Sequence, residues 1–304
     1  MSEKLPPIIK FDCLPCTIFT ALKFIRLSTE SESERLRVFK KVLSLVLRDF
    51  DKYDVPAKLA NVIFNLIKSE TGVDDPLKDK RREINERSLT IMRRIRNHVR
   101  SAKDSNSRLK RAITAALIGN LIDFGIADHR FDLNELYRIY IENLEKGFAI
   151  NDLNQLLKFL NSSKRVVIIG DNVGEIALDK ILVECLKDQG LEVTFVVRGG
   201  PITGDATIED AKQVGLDKVA RVITTGLCEL GVDFKRASTE FKESCLKSDL
   251  ILAKGQSNFE TLISQRDIIR RIGKPLFFVF KVKCPVIANY LNVKVGDNII
   301  KLLK

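Results

Sequence analysis

Hydrophobic residues recur at three- and four-residue steps through the first half of the chain. Between residues 36 and 50 these positions share one helical face, and further stripes of this kind predict helices after Pro56, from about Asp79, over 108–124 and over 133–144. No convincing strand run precedes residue 160. We therefore predict that this half is all α-helical.

The period changes after residue 163. Short β-branched runs predict strands at 165–169, 192–197, 220–224, 249–253 and 276–281, and the segments between them are long enough for crossover helices. Near-continuous apolar strands that alternate with helices are typical of a parallel sheet covered on both faces. We predict an α/β protein in which an all-α N-terminal domain (residues 1–160) precedes a Rossmann-like, mostly parallel sheet with helices on both faces (residues 161–304).

Composition narrows the class of protein further. No run approaches the roughly eighteen apolar residues that span a bilayer, and no secretory signal pattern is present, so we expect a cytoplasmic protein without a membrane partner. Six cysteines in such a chain are expected as thiols or metal ligands, not as disulfides.

The formal net charge of +11 is concentrated in one window. Residues 78–111 contain thirteen Lys or Arg and four acidic residues. A basic face of this kind can bind nucleic acid or steer a phosphorylated substrate, and a solvated helix is the simpler alternative.

Polar residues follow four of the five predicted strands. Ligands of an open parallel sheet bind beyond the carboxyl ends of its strands, so we expect these residues at one rim. They are Asp171, Asn172, Glu175, Asp205, Asp210, Lys254, Gly255, Asn258, Glu260, Lys281, Lys283 and Cys284. Any one of these segments alone is explained by helix caps and turns, but their convergence indicates a site.

The residue types at this rim suit a phosphoryl group beside a hard divalent cation. Mg²⁺ and Mn²⁺ favour carboxylate and carboxamide oxygens, which Asp171, Asn172 and Asp205 can supply. Lys254 can neutralise phosphate oxygens as charge develops on them. We predict these four residues as the catalytic set of a phosphomonoester hydrolase.

Several common enzyme motifs are missing from the sequence. It contains no P-loop, no dinucleotide G-x-G-x-x-G and no G-x-S-x-G elbow. The two histidines, His98 and His129, lie in the basic segment and in a polar loop. A histidine-based zinc site or catalytic triad is therefore disfavoured.

The chain resembles the damage-control phosphatase family over nearly its whole length. The resemblance rests on motifs in both halves, and the cysteine pair points to the prokaryotic-type branch. The motifs are Cys13-x-x-Cys16, residues 72–76, residues 119–123, residues 171–175, a Gly-Pro-x-x-x-Asp-Ala-Thr segment that ends at Thr207, residues 254–260, and Lys283-Cys284.

The resemblance implies a helical region packed on a Rossmann-like domain and a cation such as Mn²⁺, Co²⁺ or Ni²⁺, in addition to the Mg²⁺ that the residue chemistry allows. It implies that Asp171, Asn172 and Asp205 ligate the metal, and that Lys254 and nearby backbone bind the phosphate of a small phosphometabolite such as a sugar phosphate. Relatives often carry Asn where this chain has Gly204, a change expected to alter selectivity. The predicted substrate contacts are Glu175, Asn120, Asp123, Lys254, Gly255, Asn258 and Lys283.

Several alternatives stay open at this stage. The polar face of Gly119, Asn120 and Asp123 suits either substrate contact or helix packing. Cys13, Cys16 and Cys284 suit buried thiols, a second metal or a redox role. A water activated by the metal is the favoured nucleophile over Asp171 itself.

Two other classes of function are weighed against the phosphatase. One is an S-adenosylmethionine-dependent methyltransferase on a Rossmann-like fold, which the acidic, glycine-poor first loop disfavours. The other is a nucleic-acid-binding protein that uses the basic helix 78–111, which lacks interleaved aromatic residues for stacking. The oligomeric state is left open by the sequence.

Overall fold

A seven-stranded sheet forms the centre of the structure, a computed structural model that describes residues 8–119 and 133–303. In chain order the strands are β1 (Ile150–Asn151), β2 (Arg165–Ile169), β3 (Glu192–Val197), β4 (Arg221–Thr224), β5 (Leu250–Lys254), β6 (Leu276–Lys281) and β7 (Asn298–Leu302). Across the sheet their order is β1-β7-β6-β5-β2-β3-β4. All neighbouring pairs are parallel except β6 and β7, which are antiparallel.

The strand order reverses between β2 and β5. The chain passes from β2 outward to β3 and β4 and then returns to place β5 on the other side of β2, where Ile169 pairs with both Val196 and Ala253. Such a reversal opens a crevice beyond the carboxyl ends of the two central strands. The loops after β2 and β5 therefore meet at one place.

Capping residues in the sequence mark where several of the helices begin or end. Ser31 and Asp104 cap their helices by accepting the backbone N–H groups of Glu34 and Ser107, and Gly72 closes another in the left-handed conformation. No helix among the described residues combines the length and the apolar character needed to cross a membrane. The helices are α1 (Cys13–Ser28), α2 (Glu32–Asp49), α3 (Pro56–Thr71), α4 (Lys78–Arg100), α5 (Ser105–Ile118), α6 (Leu133–Lys146), α7 (Leu153–Ser162), α8 (Glu175–Asp188), α9 (Ile208–Gln213), α10 (Thr239–Lys247), α11 (Gln256–Ser264), α12 (Arg266–Ile272) and α13 (Pro285–Leu291), with a 3₁₀ turn at Phe50–Lys52.

Two apolar layers cover the sheet, and β2 contributes alternate residues to them. Val166 and Ile168 pack into the layer that includes residues of α4, α5, α6, α7 and α8, whereas Val167 and Ile169 pack into the layer that includes residues of α1, α2, α3, α11 and α13. The N-terminal helices thus cover both faces of the sheet. This placement brings α3, α4 and α5 close to the loops at its carboxyl edge.

The predicted α/β class with a mostly parallel sheet is confirmed, and the five predicted strands are found within one residue of their expected bounds. The prediction that no strand precedes residue 160 is wrong, because β1 pairs with β7. Two residues are too few to show a hydrophobic period, and β7 was not predicted either. The segment between β5 and β6, which is long enough for a crossover helix, forms two helices that meet at Gln265.

Candidate active site at the carboxyl edge of the sheet

The three predicted metal ligands lie side by side, held by their backbones. Asp171 and Asn172 follow β2, and Asn172 forms an isolated antiparallel bridge with Asp205 in the loop after β3. The N–H of Ala206 donates to the carbonyl of Asp171 at 2.8 Å, and the N–H of Val173 donates to the carbonyl of Gly204 at 2.8 Å. Residues more than thirty positions apart in the sequence thus lie together, as expected for residues that follow neighbouring parallel strands.

The side chains of this group are buried and oriented. The amide nitrogen Nδ2 of Asn172 donates to Asp171 Oδ2 at 2.9 Å, which leaves the amide oxygen for another partner. Asp205 Oδ2 accepts from Arg198 Nε at 2.6 Å, whereas Oδ1 has only a long 3.5 Å contact with the Thr203 hydroxyl. Oxygen atoms of all three residues can thus face a common ligand.

Arg198 is a site residue that the sequence analysis did not select. Its side chain is 1% exposed, and it contacts both carboxylates: Asp205 through Nε, and Asp171 Oδ1 at 3.8 Å from Nη2. Its Nη1 and Nη2 also donate to the carbonyl of Gly231 at 2.8 Å and to Asn258 Oδ1 at 3.0 Å. An arginine after a strand carries no distinctive sequence signal, so only the folded chain reveals this role.

The start of α11 adjoins Asp171. Gly255 precedes the helix with a φ of +83°, and the Ser257 hydroxyl donates to Asp171 Oδ1 at 3.4 Å. The first-turn N–H groups of a helix lack intrahelical acceptors and attract anions. Asn258, by contrast, is fully buried and donates to the carbonyl of Gly170 at 2.9 Å, so it braces the loop instead of facing an open surface.

Lys254 and Glu175 do not lie where the sequence analysis expected them. The Lys254 ammonium, 1% exposed, donates to the carboxylates of Glu175 and Asp179 and to the carbonyl of Ala116 at 2.8 Å. These three acceptors occupy its three N–H groups, so in this arrangement none is left for a phosphate. Glu175 is fully buried in the same cluster, where it contacts no open surface.

The charges of this cluster are strongly coupled. Burial raises the pKa of Glu175 to about 8 and that of Asp179 to about 6, against the opposing effect of Lys254. Burial lowers the pKa of Lys254, but the two carboxylates outweigh it and raise that pKa overall. The second oxygen of each carboxylate is buried without a hydrogen-bond partner among the described residues. The ammonium is therefore essential to keeping two acidic groups inside the fold.

Helix α4 supports the loop that carries Asp205. Arg81 donates to the backbone carbonyls of Asp205 at 2.5 Å and Thr203 at 3.3 Å, and pairs with Asp75 at 3.3 Å. Asn85 accepts the N–H of Gly174 at 2.8 Å. Asp75, in the motif at residues 72–76, thus helps to hold Arg81 against the loop that carries Asp205.

Gly119 serves helix packing. A Cβ at this position would lie 2.7 Å from the Cα of Glu175, so α5 and α8 approach closely only because a glycine stands there. Asn120 and Asp123, predicted as substrate contacts, lie outside the described residues. Of the two alternatives for this polar face, the packing role of Gly119 is the one the contacts support.

The three motif cysteines differ in environment. Cys13 is buried, Cys16 is exposed and Cys284 is half-buried. Burial raises the pKa of the Cys13 and Cys284 thiols, and each thiol is also influenced by the nearby Glu260 carboxylate. A raised pKa keeps a thiol protonated at neutral pH, as is typical of structural cysteines. Within residues 8–119 and 133–303, no group of three or more His, Cys, Asp or Glu side chains is arranged to hold a metal.

Gln256 connects Cys284 to α11 and to the loop after β6. Its Nε2 donates to Glu260 Oε1 at 3.0 Å and contacts Cys284 Sγ at 3.4 Å, while its Oε1 accepts the N–H of Lys283 at 2.9 Å. The Lys283 side chain is exposed. Lys283 thus lies near the start of α11, as the sequence analysis expected.

The buried charges around the site suit a bound cation. Burial raises the pKa of Asp205 to about 7, with Arg198 opposing this effect and Asp171 adding to it. Acidic groups exceed basic ones among the buried described residues near the site: Asp171, Glu175, Asp179, Asp205, Asp210 and Glu260 against Arg81, Arg198 and Lys254. The oxygen donors of Asp171, Asn172 and Asp205 fit a hard divalent cation, which would offset this excess.

The opposite edge of the sheet holds a separate groove of about 610 Å³. It is lined by residues at the amino ends of β2, β3 and β4, among them Arg165, Glu192 and Arg221. None of the predicted site residues lines it.

Known proteins with similar sequences and structures share this architecture. A sequence profile described as the damage-control phosphatase ARMT1-like domain matches residues 9–299. A damage-control phosphatase of Pyrococcus horikoshii is 32% identical over 95% of this chain and 96% of its own. A damage-control phosphatase of Archaeoglobus fulgidus is 29% identical over 96% of this chain and 98% of its own. The crystal structure of a DUF89 family protein from Pyrococcus horikoshii matches with a TM-score of 0.82 and 31% identity, over 97% of this chain and 99% of that chain.

These matches extend over nearly the whole chain, through the helical half as well as the sheet. They confirm the resemblance that the motifs indicated. The chain belongs to the damage-control phosphatase ARMT1-like family.

Proposed function

We propose that this phosphatase is a metal-dependent phosphomonoester hydrolase of small phosphorylated metabolites, such as sugar phosphates, and that Asp171, Asn172 and Asp205 hold its cation. The observation that carries the proposal is the backbone bridge between Asn172 and Asp205, which sets three oxygen donors side by side at the strand-order reversal. Membership of the family supports the reaction class. The choice among Mn²⁺, Co²⁺, Ni²⁺ and Mg²⁺ and the cytoplasmic location stay predictions.

The protein's own groups divide the work of binding and orientation. Asp171, Asn172 and Asp205 would hold the cation, and Arg198 orients the carboxylates of Asp171 and Asp205 through ion pairs. The first-turn N–H groups of α11 would donate to phosphate oxygens. A divalent cation supplies charge neutralisation and lowers the pKa of water. Lys254 has no direct phosphate contact in this proposal, because its N–H groups are taken by Glu175, Asp179 and Ala116.

The contacts of Asp171 favour water over this carboxylate as the nucleophile. Oδ2 accepts from Asn172, and Oδ1 accepts from Ser257. Hydrogen bonds to both oxygens lower the nucleophilicity of this carboxylate, while each oxygen keeps a second lone pair that can face a cation. Single turnover in ¹⁸O-water is expected to place the label directly in inorganic phosphate, and early labelling of the Asp171 carboxylate would overturn this assignment.

Part of the basic charge of segment 78–111 has an internal use. Arg81 holds the Asp205 loop, Arg96 pairs with Glu184 at 2.7 Å, and Arg111 donates to the carbonyl of His98 at 2.7 Å. These contacts account for basic residues in this segment without a nucleic acid. They favour the phosphatase over the nucleic-acid alternative.

The proposal is tested by phosphate release from a panel of sugar, nucleotide and cofactor phosphomonoesters. Metal-stripped protein is resupplied separately with Mg²⁺, Mn²⁺, Co²⁺ or Ni²⁺. Asp171→Asn keeps the shape of the side chain and removes its charge, and Asp267→Asn on the surface of α12 is the matched control. We expect turnover that depends on the metal, persists in the control and falls at least about a hundredfold in Asp171→Asn. Equal release by the two variants would contradict the proposal.

A further inference from the structure

Arg198 occupies the space between the two acidic residues of the site. Its Nε lies 2.6 Å from Asp205 Oδ2, and its Nη2 lies 3.8 Å from Asp171 Oδ1. The guanidinium carries a positive charge and is buried. A fixed positive charge is therefore built in beside the oxygens that would hold a divalent cation.

The position of this guanidinium is determined by neighbouring elements. The carbonyl of Gly231 accepts from Nη1, and a Cβ on Gly231 would lie 2.3 Å from Thr261 Oγ1 and 2.7 Å from the carbonyl of Ser257. Only a glycine allows that loop to pack so tightly on α11. Asn258 in α11 accepts from Nη2 and in turn donates to the carbonyl of Gly170. The loop and α11 thus keep Arg198 in one orientation.

This orientation assigns the carboxylate oxygens unequally. Arg198 takes Oδ2 of Asp205 and faces Oδ1 of Asp171, so Oδ1 of Asp205 is the atom left for a ligand. Two-metal phosphatase sites use carboxylates that bridge cations about 3.5–4 Å apart. A second cation here would have to share Asp205 Oδ2 and Asp171 Oδ1, which are the oxygens that Arg198 contacts.

We propose that Arg198 is a positioning residue that restricts this site to a single divalent cation by filling the place of a second one. The inference rests on the proposed metal-dependent function. Its physical basis is that a second cation would have to displace a guanidinium whose three nitrogens each donate to a fixed acceptor, and would meet its positive charge at close range.

The test is a titration of metal-stripped, full-length protein with Mn²⁺ alone, in which electron paramagnetic resonance reports free ion and coupled ion pairs. We expect one equivalent bound by the unaltered protein. In Arg198→Met we expect a second equivalent together with the signal of an exchange-coupled pair. Arg198→Lys retains the charge and is expected to bind one.

Arg81→Met is the matched control. It removes another buried arginine next to Asp205. Arg81 contacts the backbone carbonyls of Thr203 and Asp205 and pairs with Asp75, but it makes no ion pair with the carboxylates of Asp171 or Asp205, so we expect a single equivalent. Arg198→Gln, which retains a donor for Asp205, replaces Arg198→Met if circular dichroism shows that the latter is unfolded.

The outcomes separate the inference from the proposed function. Two equivalents in the unaltered protein, or one equivalent in a folded Arg198→Met or Arg198→Gln, would overturn the inference and leave the phosphatase proposal intact. No bound Mn²⁺ in the unaltered protein, together with metal-independent turnover, would remove the metal from the proposed function itself.

Discussion

The Cα of Gly255 packs directly against the carboxylate of Asp171. A Cβ added to Gly255 would lie 2.1 Å from both Cγ and Oδ2 of that side chain, a distance no real contact tolerates. The glycine also has a φ of +83°. The position of Asp171 thus depends on the lack of a side chain at a residue 84 positions later in the sequence.

Gly255→Ala is therefore expected to displace Asp171 and weaken Mn²⁺ binding by at least about tenfold, the size of effect seen when the support of a ligand is lost. Gly273→Ala is the matched control, because Gly273 also has a positive φ of +68° but has no atom within 4 Å of the added Cβ. Both alanines are strained at a positive φ, by about 1–3 kcal/mol, and the strain is larger at Gly255, whose ψ of 155° lies in a region nearly exclusive to glycine, than at Gly273, whose ψ is 20°. Titration with Mn²⁺ separates the effect of the clash with Asp171 from that of backbone strain. Equal Mn²⁺ affinities in the two variants would contradict the prediction.

Lys254→Met is expected to reduce the free energy of unfolding by about 3–5 kcal/mol, because it leaves Glu175 and Asp179 buried without a cation. Urea denaturation measures the loss. Adding Glu175→Gln to this variant is expected to recover part of that stability, since one unpaired charge is then removed. A Lys254→Met protein of normal stability whose only defect is a raised KM would restore the phosphate-binding role.

Lys281 is expected to make stability rise at alkaline pH. Burial and, to a smaller extent, the nearby Lys146 lower its pKa to about 8, against the opposing effect of Asp297. Between pH 8 and the ordinary lysine value near 10.4, the unfolded chain binds more protons here than the folded one, so this residue's contribution increases with pH. The free energy of unfolding is measured by urea denaturation at pH 7.5 and pH 10. Lys281→Met is expected to lose the rise in stability between these pH values, and Lys158→Met, at an exposed position of α7, is expected to keep it.

Thr203 carries backbone strain next to the candidate ligand Asp205. Its φ of +46° is unfavourable for a β-branched residue, whereas asparagine tolerates that region. Thr203→Asn is expected to raise the free energy of unfolding by up to about 1 kcal/mol and keeps the carbonyl that accepts from Arg81. Thermal unfolding measures the gain. A lower melting temperature would show that the threonine side chain contributes more than its strain costs.

The fold was largely predictable because its helices and central strands are long enough to show a hydrophobic period. Val166 to Ile169 are buried on both sides, which produces the continuous apolar run of a central parallel strand. Ile150 and Asn151 form a strand only because β7 lies beside them. A pairing of two residues is decided by tertiary contact, and the local sequence does not report it.

The clustering of the three candidate ligands was predictable from the sequence, but the residues that support them were not. Asp171, Asn172 and Asp205 follow strand ends, so topology alone brings them together. Arg198 follows the end of β3 and Lys254 is the last residue of β5, yet both side chains are buried. Arg198 contacts the carboxylates of Asp171 and Asp205, and Lys254 contacts those of Glu175 and Asp179. Whether a basic side chain faces a ligand or the protein interior depends on the buried carboxylates and carbonyls around it. These partners are brought together only by the fold, so the local sequence does not reveal them.

The antiparallel strand β7 has a consequence for synthesis of the chain. It lies between β1 and β6, so the strand that follows the six N-terminal helices has no neighbour until a segment about 150 residues later has been made. On the ribosome, β1 and the α7 segment that follows it must wait while the rest of the sheet assembles. Closing so long a loop is slow, which makes docking of this edge a late event in folding.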